Sequence, residues 1–231
     1  MTTTLITGAN KGLGRETARR LLEAGHDVWI GARDPDAGAA AARDLGARHV
    51  ALDVTSQASV DAAAATLAAA GGLDVLVNNA GIADGMGVPF PRTDLAAMSR
   101  ILETNVVGPA RVTIAVWDLL QASPAPVVVN VSSSLASLTL ATDPARQEHG
   151  YLPMAYPASK AALNMLTVKL AQELPRARVT AVNPGFTATD LNDHAGHLTV
   201  EEGAEPIVRA ALLGPGDPTG TFMEAAGPLP W

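Results

Sequence analysis

The sequence predicts an α/β fold in which a mostly parallel, doubly wound sheet carries helices on both faces. Short β-branched runs alternate with Ala-rich helical stretches from the first residues onward. A glycine-rich turn follows the first run at once, and neither a repeat nor a long linker interrupts the alternation. A chain of 231 residues is compatible with one or two domains, and the unbroken alternation favours a single domain over 1–231.

Six runs predict the strands of this sheet. Leu5-Ile6 opens the series, and the run at 75–77 is bounded by Asp74 and Asn78, as expected for a buried strand that ends in turns. The most continuous run, at 127–131, follows two prolines that break the preceding helical pattern. In chain order the predicted strands are 5–6, 28–30, 49–52, 75–77, 127–131 and 179–182.

Apolar residues at helical spacing predict helices between these strands. The first helix carries Ala18, Leu21 and Leu22 on one face and ends at Gly25. A long helix is expected over 95–120, and a Gly/Pro-rich tail without predicted elements follows the last helix. In chain order the predicted helices are 17–24, 37–45, 60–70, 95–120, 156–174 and 201–213.

Charge and composition exclude several classes of function. The chain has 16 Lys and Arg against 23 Asp and Glu, a net charge of −7, without a basic block, which argues against a nucleic-acid partner. Cysteine is absent, and His194 and His197 are expected to be exposed loop residues, so no metal site is predicted. No apolar run approaches the length of a membrane span, and the first residues predict a strand rather than a signal peptide. We therefore expect a cytoplasmic protein that binds no membrane.

The turn at 7–14 is the first candidate site. Its glycines are spaced G-x-x-x-G-x-G between the first strand and the first helix, where glycine permits positive φ and lets backbone N–H groups approach a phosphate. The helix N-terminus adds the positive end of its dipole. A tight turn without a ligand is the alternative, but the position in the first βα unit favours a pyrophosphate site. The residues expected to contact the cofactor here are Gly8, Asn10, Lys11, Gly12, Leu13 and Gly14.

Arg33 indicates which dinucleotide is bound. In this architecture an acid at the end of the second strand accepts a hydrogen bond from the adenosine 2′-hydroxyl and repels a 2′-phosphate. Here Ala32 takes the place of the acid and Arg33 follows it, while Lys11 offers a second charge. A guanidinium suits a phosphate, so NADPH is predicted over NADH. The alternative is a pair of solvated surface cations, with Asp34 or Asp36 neutralising Arg33.

Tyr156 and Lys160 are spaced i and i+4, so they share one face of a predicted helix. A free phenol has a pKa of about 10, and a neighbouring cation lowers it. Such an acid suits the protonation of a carbonyl oxygen as hydride reaches the carbon. The alternative is an exposed helix pair without a catalytic role.

Two further polar features favour the catalytic interpretation. The residues 132–134 are three serines at the end of the strand 127–131. Their hydroxyls either polarise a substrate oxygen or form hydrogen bonds that hold the chain where it leaves the strand. Asn105 lies among apolar neighbours inside the predicted long helix. An asparagine there either satisfies a kinked backbone or holds a water.

In this order, the motifs resemble those of the short-chain dehydrogenase/reductases. The resemblance covers nearly the whole chain, and the ordered set is highly specific. It rests on Thr7-Gly8 with Gly12 and Gly14, Asp53-Val54, Asn78-Asn79-Ala80-Gly81, Asn105, Ser133, Tyr156 with Lys160, and Asn183-Pro184-Gly185 with Thr189. It implies a Rossmann-type fold. With the interpretation of Arg33, it leads us to expect an NADPH-dependent carbonyl reductase that converts a small ketone or aldehyde reversibly to its alcohol.

The resemblance implies a role for each matched residue. Tyr156 would donate the proton in reduction, and Lys160 would lower the pKa of Tyr156 and bind the nicotinamide ribose. Ser133, or its neighbour Ser132 or Ser134, would polarise the carbonyl. Asn105 would hold the water of a proton relay. The further implied cofactor contacts are Asp53 and Val54 beside adenine, Asn79, Ala80 and Gly81 on the adenosine side, and Pro184, Gly185, Thr187 and Thr189 towards the carboxamide or pyrophosphate.

Two other functions are compatible with the same fold. One is a catalytically idle NADP(H)-binding sensor or partner protein, against which the intact set of tyrosine, lysine, serine and asparagine argues. The other is a different reaction on the same scaffold, such as enoyl reduction or epimerisation. An activity screen separates them, because fold alone does not name a substrate.

Two segments depart from the family pattern. The residues 139–153 form an insertion like that of monomeric carbonyl reductases, in which it covers the helix surface used for dimerisation. The insertion is shorter here, and we expect a monomer rather than a dimer. The short segment 186–200 indicates an open pocket, with apolar wall candidates at Phe186, Leu191, Leu152 and Met154.

Overall fold

The computed structural model describes residues 1–84 and 88–231. Its strands are β1 (Thr3–Thr7), β2 (Asp27–Ala32), β3 (Arg48–Ala51), β4 (Val75–Asn78), β5 (Val127–Val131), β6 (Arg178–Val182), β7 (Thr221–Glu224) and β8 (Gly227–Pro228). They form one sheet in the order β3-β2-β1-β4-β5-β6-β7-β8, parallel from β3 to β7, with β8 antiparallel. The predicted fold class is confirmed, and the order reverses between β1 and β4, as in a doubly wound sheet.

The helices between the strands are α1 (Gly12–Glu23), α2 (Pro35–Leu45), α3 (Gln57–Ala69), α4 (Leu95–Leu102), α5 (Gly108–Ala115), α6 (Trp117–Ala122), α7 (Leu138–Thr142), α8 (Ala155–Glu173) and α9 (Val200–Ala211). A π turn, Glu103–Val107, joins α4 to α5. Short 3₁₀ helices include Gln147–Gly150 and Asp190–Asn192.

Alternate residues of the central strands enter two separate cores. Val127, Val129 and Val131 of β5 pack with α1, α2 and α9 on one face of the sheet, whereas Val128 packs with α3 and α5 on the other. Successive side chains of a strand point to opposite faces, and here helices cover both. This explains why β5 is apolar at four of its five positions.

The prediction of one helix over 95–120 is wrong. The α-helical hydrogen-bond pattern of the described chain is interrupted at the π turn Glu103–Val107 and again after Ala115, where α5 ends and α6 begins. Apolar spacing continues through these breaks, so periodicity alone did not reveal them. A π turn changes the hydrogen-bond pattern without changing the character of the side chains.

The prediction of an irregular tail is also wrong. β7 extends the sheet beside β6, and its Phe222 is buried and stacks on Trp231, with 5.5 Å between the ring centroids. The surrounding glycines and prolines hid this short strand. Its formation depends on pairing with β6 and on packing, which a local pattern does not report.

Three consecutive residues at the end of β5 are hydrogen-bonded to one face of α8. We call this set the β5–α8 clamp: Asn130 Nδ2 donates to Thr167 Oγ1 (2.9 Å), Lys160 Nζ donates to Val131 O (2.7 Å), and Ser132 Oγ donates to Asn164 Oδ1 (2.6 Å). All six residues are buried. Since residues i, i+4 and i+7 of a helix lie on one face, the clamp fixes both the rotation and the axial position of α8.

The clamp continues across the sheet through Asn78 of β4. Asn78 Nδ2 donates to Asn130 Oδ1 at 2.9 Å and approaches Thr113 Oγ1 of α5 at 3.3 Å. The two asparagines are register partners in adjacent strands. A buried polar network of this kind orders the two helices on the sheet.

Thr167→Val should destabilise the fold with little change of shape. It leaves the buried amide of Asn130 without its acceptor, which costs about 1–3 kcal/mol of the free energy of unfolding. Urea denaturation followed by circular dichroism measures the change. Thr66→Val is the matched control, because the Thr66 hydroxyl bonds Ala62 O on an exposed face of α3, and its cost should stay within about 0.5 kcal/mol. Equal costs for the two variants would contradict a stabilising role of the clamp.

Candidate active site

A cavity of about 560 Å³ opens at the carboxyl ends of β5 and β6. Its wall includes the predicted site residues Leu13, Ser133, Tyr156, Pro184, Gly185, Thr187 and Thr189. Of the four apolar wall candidates, Phe186 and Leu191 line it. Met154 instead borders a separate small cavity with Met98, and Leu152 is exposed. The predicted residues therefore meet at one edge of the sheet, where doubly wound folds bind ligands.

Tyr156 lies in the first turn of α8, one turn ahead of the clamp residue Lys160. Lys160 is 5% exposed, and its Nζ lies 5.6 Å from the centroid of the Tyr156 ring. Burial lowers the pKa of Lys160 to about 8. Burial also raises the pKa of the Tyr156 phenol, and the phenol of Tyr151 raises it further. This direction is opposite to the lowering expected from a neighbouring cation, because desolvation of the phenolate outweighs that effect here.

The three serines after β5 have different environments. The Ser132 hydroxyl is committed to Asn164 in the clamp. Ser133 Oγ accepts a hydrogen bond from Leu135 N at 3.3 Å and faces the cavity that contains Tyr156. Ser134 begins a 3₁₀ helix and also lines the cavity. This arrangement favours Ser133 over Ser132 as the serine that meets a ligand.

Asn105 lies within the π turn and is fully buried. Its Oδ1 accepts from Ile82 N, and its Nδ2 donates to Ile82 O and to Ser159 Oγ, at distances of 2.9, 2.9 and 3.1 Å. A Cβ added at Gly81 would lie 3.3 Å from Asn105 Oδ1 and 3.6 Å from Lys160 Nζ. Asn105 therefore bonds the backbone of Ile82 and the start of α8, rather than the backbone of its own helix, and it lies close to Lys160. Its two predicted roles stay predictions.

The glycine turn has the backbone conformation that its sequence predicts. Gly8 and Gly12 have φ values of 65° and 54°, which are unfavourable for other residues. At Gly14 a Cβ would lie 2.5 Å from Asn79 Nδ2, so this glycine permits close packing between α1 and the end of β4. No described side chain caps the N-terminus of α1 at Lys11. The first N–H groups of α1 are thus available to an anion.

Thr7 joins the glycine turn to the end of β4. Its hydroxyl accepts hydrogen bonds from the backbone N–H groups of Asn79 and Ala80, each at 3.0 Å. Asn79 Nδ2 in turn donates to the carbonyls of Thr7 and Gly8, at 2.9 and 3.1 Å. The site prediction omitted Thr7 although its motif includes this residue. Its position beside the first glycine is the signal that could have found it.

Arg33 and Lys11 differ in how they are engaged. Arg33 is exposed, and within residues 1–84 and 88–231 its guanidinium forms no ion pair. Asp34 caps the N-terminus of α2 instead of neutralising Arg33. Lys11 Nζ lies 2.5 Å from Asp190 Oδ2, and both side chains are more than half exposed. An exposed pair of this kind is weak, so Lys11 can exchange Asp190 for another anion at little cost.

Four further predicted cofactor residues differ in their contacts. Partial burial raises the pKa of Asp53, but hydrogen bonds from Thr55 and the charge of Arg33 outweigh this effect, so the pKa is lowered overall. Val54 is buried against Gly108. Thr187 Oγ1 donates to Pro184 O at 3.0 Å, so its hydroxyl is already engaged. Thr189, in contrast, caps the 3₁₀ helix Asp190–Asn192.

The insertion over 139–153 contributes four residues that the site prediction omitted. They are Arg146, Gln147, Glu148 and Tyr151, all of which line the cavity. The polar composition of the insertion was the available signal, but nothing local showed that it folds over the site. None of its described residues lines the apolar groove between α5 and α8, where Ile114 is 72% exposed. The insertion therefore forms part of the cavity wall, and a monomeric state stays a prediction.

The two loop histidines have partners other than a metal. His194 Nε2 lies 2.9 Å from Asp190 Oδ1, and the His197 ring packs against Phe186 with 5.9 Å between centroids. Within the described part of the chain, no group of three or more metal-binding side chains occurs. Among the same residues, no helix is both long and apolar enough to cross a membrane.

Comparisons with known proteins point to one family. A profile of the short chain dehydrogenase family matches residues 2–197. The (−)-isopiperitenone reductase of Mentha piperita is 32% identical, over 95% of this chain and 95% of that enzyme. Salutaridine reductase of Papaver somniferum superposes with a TM-score of 0.84 at 29% identity, covering 96% of this chain and 99% of that one. The carbonyl reductase Sniffer of D. melanogaster gives a TM-score of 0.86 at 26% identity, with both chains fully covered.

The fold, the order of the motifs and these relatives agree. The relatives are named as reductases, and the family uses nicotinamide cofactors to interconvert carbonyl and alcohol groups. The chain is thus an oxidoreductase of this type, and it belongs to the short-chain dehydrogenase/reductase family.

Proposed function

We propose that this chain, acting as one domain over 1–231, is an NADPH-dependent carbonyl reductase that converts small ketones or aldehydes to alcohols. The observation that carries the proposal is the shared cavity of Tyr156 and Ser133, with the buried Lys160 behind the tyrosine. When bound, the nicotinamide cofactor supplies the hydride. The chain itself supplies the proton and orients the carbonyl. Its cytoplasmic location stays a prediction from the sequence.

Tyr156 is the proposed proton donor. Because burial raises the pKa of its phenol, Tyr156 is protonated at neutral pH and ready to give its proton to the carbonyl oxygen. The phenolate left behind is stabilised by the ammonium of Lys160, whose pKa of about 8 leaves it mostly charged at pH 7. Ser133 would donate a hydrogen bond to the same carbonyl oxygen and polarise it.

Lys160 and Asn105 are proposed to complete the site from below the cavity. The ammonium of Lys160 would bind the nicotinamide ribose hydroxyls in addition to Val131 O. Asn105 is a positioning residue, since its amide ties Ile82 to the start of α8 through Ser159. That it also holds a relay water stays a prediction.

The glycine turn and its surroundings fit a dinucleotide. The positive φ values of Gly8 and Gly12 and the uncapped N-terminus of α1 suit a pyrophosphate. The guanidinium of Arg33, which forms no ion pair with any described residue, suits a 2′-phosphate, and this favours NADPH over NADH. The other proposed contacts are those predicted from the sequence, from Asn10 through Asp53, Val54, Asn79, Ala80 and Gly81 to Pro184, Gly185, Thr187 and Thr189.

A cofactor-by-substrate screen tests the function. NADPH oxidation is followed by absorbance with cyclic ketones, aldehydes, quinones and enones, and the products are identified. Alcohol products from saturated ketones support the proposal. Binding of NADPH without turnover on any substrate favours a sensor. Reduction of the carbon–carbon double bond of an enone with the carbonyl retained favours enoyl reduction.

Tyr156→Phe should bind NADPH with unchanged affinity and lose turnover. Removal of a general acid typically lowers kcat by about 10²- to 10⁴-fold. Steady-state kinetics measures kcat, and fluorescence titration measures the Kd for NADPH. Tyr151→Phe is the matched control, because it removes the only other phenol of the chain from the same cavity, and it should retain most of the turnover. Substantial activity in Tyr156→Phe would contradict the role of proton donor.

Arg33→Asp should shift the cofactor preference towards NADH. Loss of a charge-assisted hydrogen bond to the 2′-phosphate should lower the ratio of kcat/KM for NADPH over NADH by about tenfold or more. Arg43→Asp makes the same change of charge on an exposed face of α2 and should leave the ratio unaltered. Unchanged ratios in both variants would show that Arg33 does not contact the 2′-phosphate.

A further inference from the structure

A buried carboxylate in the cavity wall has no role in the proposed chemistry. Glu148 belongs to the 3₁₀ helix Gln147–Gly150 of the insertion and lines the cavity that contains Tyr156 and Ser133. Its side chain is 3% exposed, and its Oε2 atom has no hydrogen-bond partner among the described residues. The two neighbours on the same 3₁₀ helix, Gln147 and His149, are exposed. The chain therefore turns this one acid inward.

Arg146 forms a long ion pair with this carboxylate but no hydrogen bond. Its Nε lies 3.7 Å from Glu148 Oε2, beyond hydrogen-bond distance, and its side chain is 48% exposed. The other carboxylate of the cavity provides a contrast, because Glu224 Oε2 accepts a hydrogen bond from Asn183 Nδ2 at 2.8 Å. A buried glutamate oxygen without a hydrogen bond is rare, since burial of a weakly compensated charge is costly. An apolar residue at position 148 would avoid that cost.

The rest of the wall shows what the carboxylate can select. The Glu148 side chain is 3% exposed, and the cavity wall also contains apolar side chains, including Leu135, Phe186 and Leu191. A hydrogen bond to a buried carboxylate is strong, and a ligand that lacks the donor leaves Oε2 without one. Ligand pockets commonly use individual polar groups of the wall to fix the orientation of a ligand and to set specificity. Glu148 is placed to act in this way.

We propose that Glu148 determines substrate specificity by accepting a hydrogen bond from a donor group of the carbonyl substrate. The substrate class is then a ketone or aldehyde that carries, away from its carbonyl, either a hydroxyl group or a protonated amine. This assignment rests on the proposed carbonyl-reductase function and adds the second point at which the substrate is held. Tyr156 and Ser133 hold the carbonyl, and Glu148 holds the donor.

The experiment compares three ketones of the same skeleton that carry a hydroxyl, a protonated amino or a methyl group at one position. The wild-type enzyme should reduce at least one donor-bearing ketone with a kcat/KM about tenfold or more above that of the methyl ketone. Glu148→Gln keeps the shape and removes the charge. The variant should lose most of any preference for the protonated amine, through a higher KM, and less of any preference for the hydroxyl. Its kcat/KM for the methyl ketone should be unchanged. Glu224→Gln is the matched control and should leave the preference unchanged.

The outcomes separate the specificity assignment from the reaction. Equal kcat/KM values of the wild-type enzyme for all three ketones would overturn the role of Glu148. This result requires no variant. Equal losses on all three ketones in Glu148→Gln also overturn it, because they indicate a structural role. A wild-type enzyme that reduces no ketone with either cofactor overturns the proposed function, and the substrate assignment falls with it.

Discussion

Three buried hydrogen bonds hold α8 against the end of β5, and the rest of the site depends on them. Asn130, Val131 and Ser132 follow one another along the chain, yet their partners lie at positions i, i+4 and i+7 of one helix face. This match between a strand end and a helix admits one rotation and one axial position of α8. The position of Tyr156 then follows from helix geometry, because this residue lies one turn before Lys160. The clamp thus places the phenol at the cavity and buries the ammonium beneath it.

The same clamp explains an unusual electrostatic arrangement. Lys160 is buried and donates a hydrogen bond to the backbone carbonyl of Val131, and desolvation lowers its pKa to about 8. Desolvation also keeps the phenol of Tyr156 protonated. Neither group is at its usual pKa. At neutral pH only the shift of Lys160 costs stability, which the packing of the two cores offsets, because the phenol is protonated in the folded and the unfolded chain alike. Perturbed pairs of this kind in a cleft are typical of catalytic sites.

Much of the fold follows from the sequence because periodicity reports burial directly. Every predicted strand occurs, and the glycine turn has the predicted positive φ values. The π turn at Asn105 and the strand at Phe222 were missed, since both depend on contacts with distant residues. Within the site, the motif residues could be named, but the inward turn of Glu148 could not. Insertions carry no periodic signal, and only the tertiary fold decides which of their side chains face a cavity.

The turnover number of Asn164→Ala tests the central claim most directly, namely that the register of α8 on β5 sets the catalytic geometry. Asn164 is not among the residues of the proposed reaction, and among the described residues its side chain is hydrogen-bonded to Ser132. A small displacement of α8 should lower kcat about tenfold to a hundredfold, because misplacement by about 1 Å has that effect, while the Kd for NADPH and the far-UV spectrum are retained. A kcat equal to that of the wild type in a folded variant that binds NADPH normally would contradict the account.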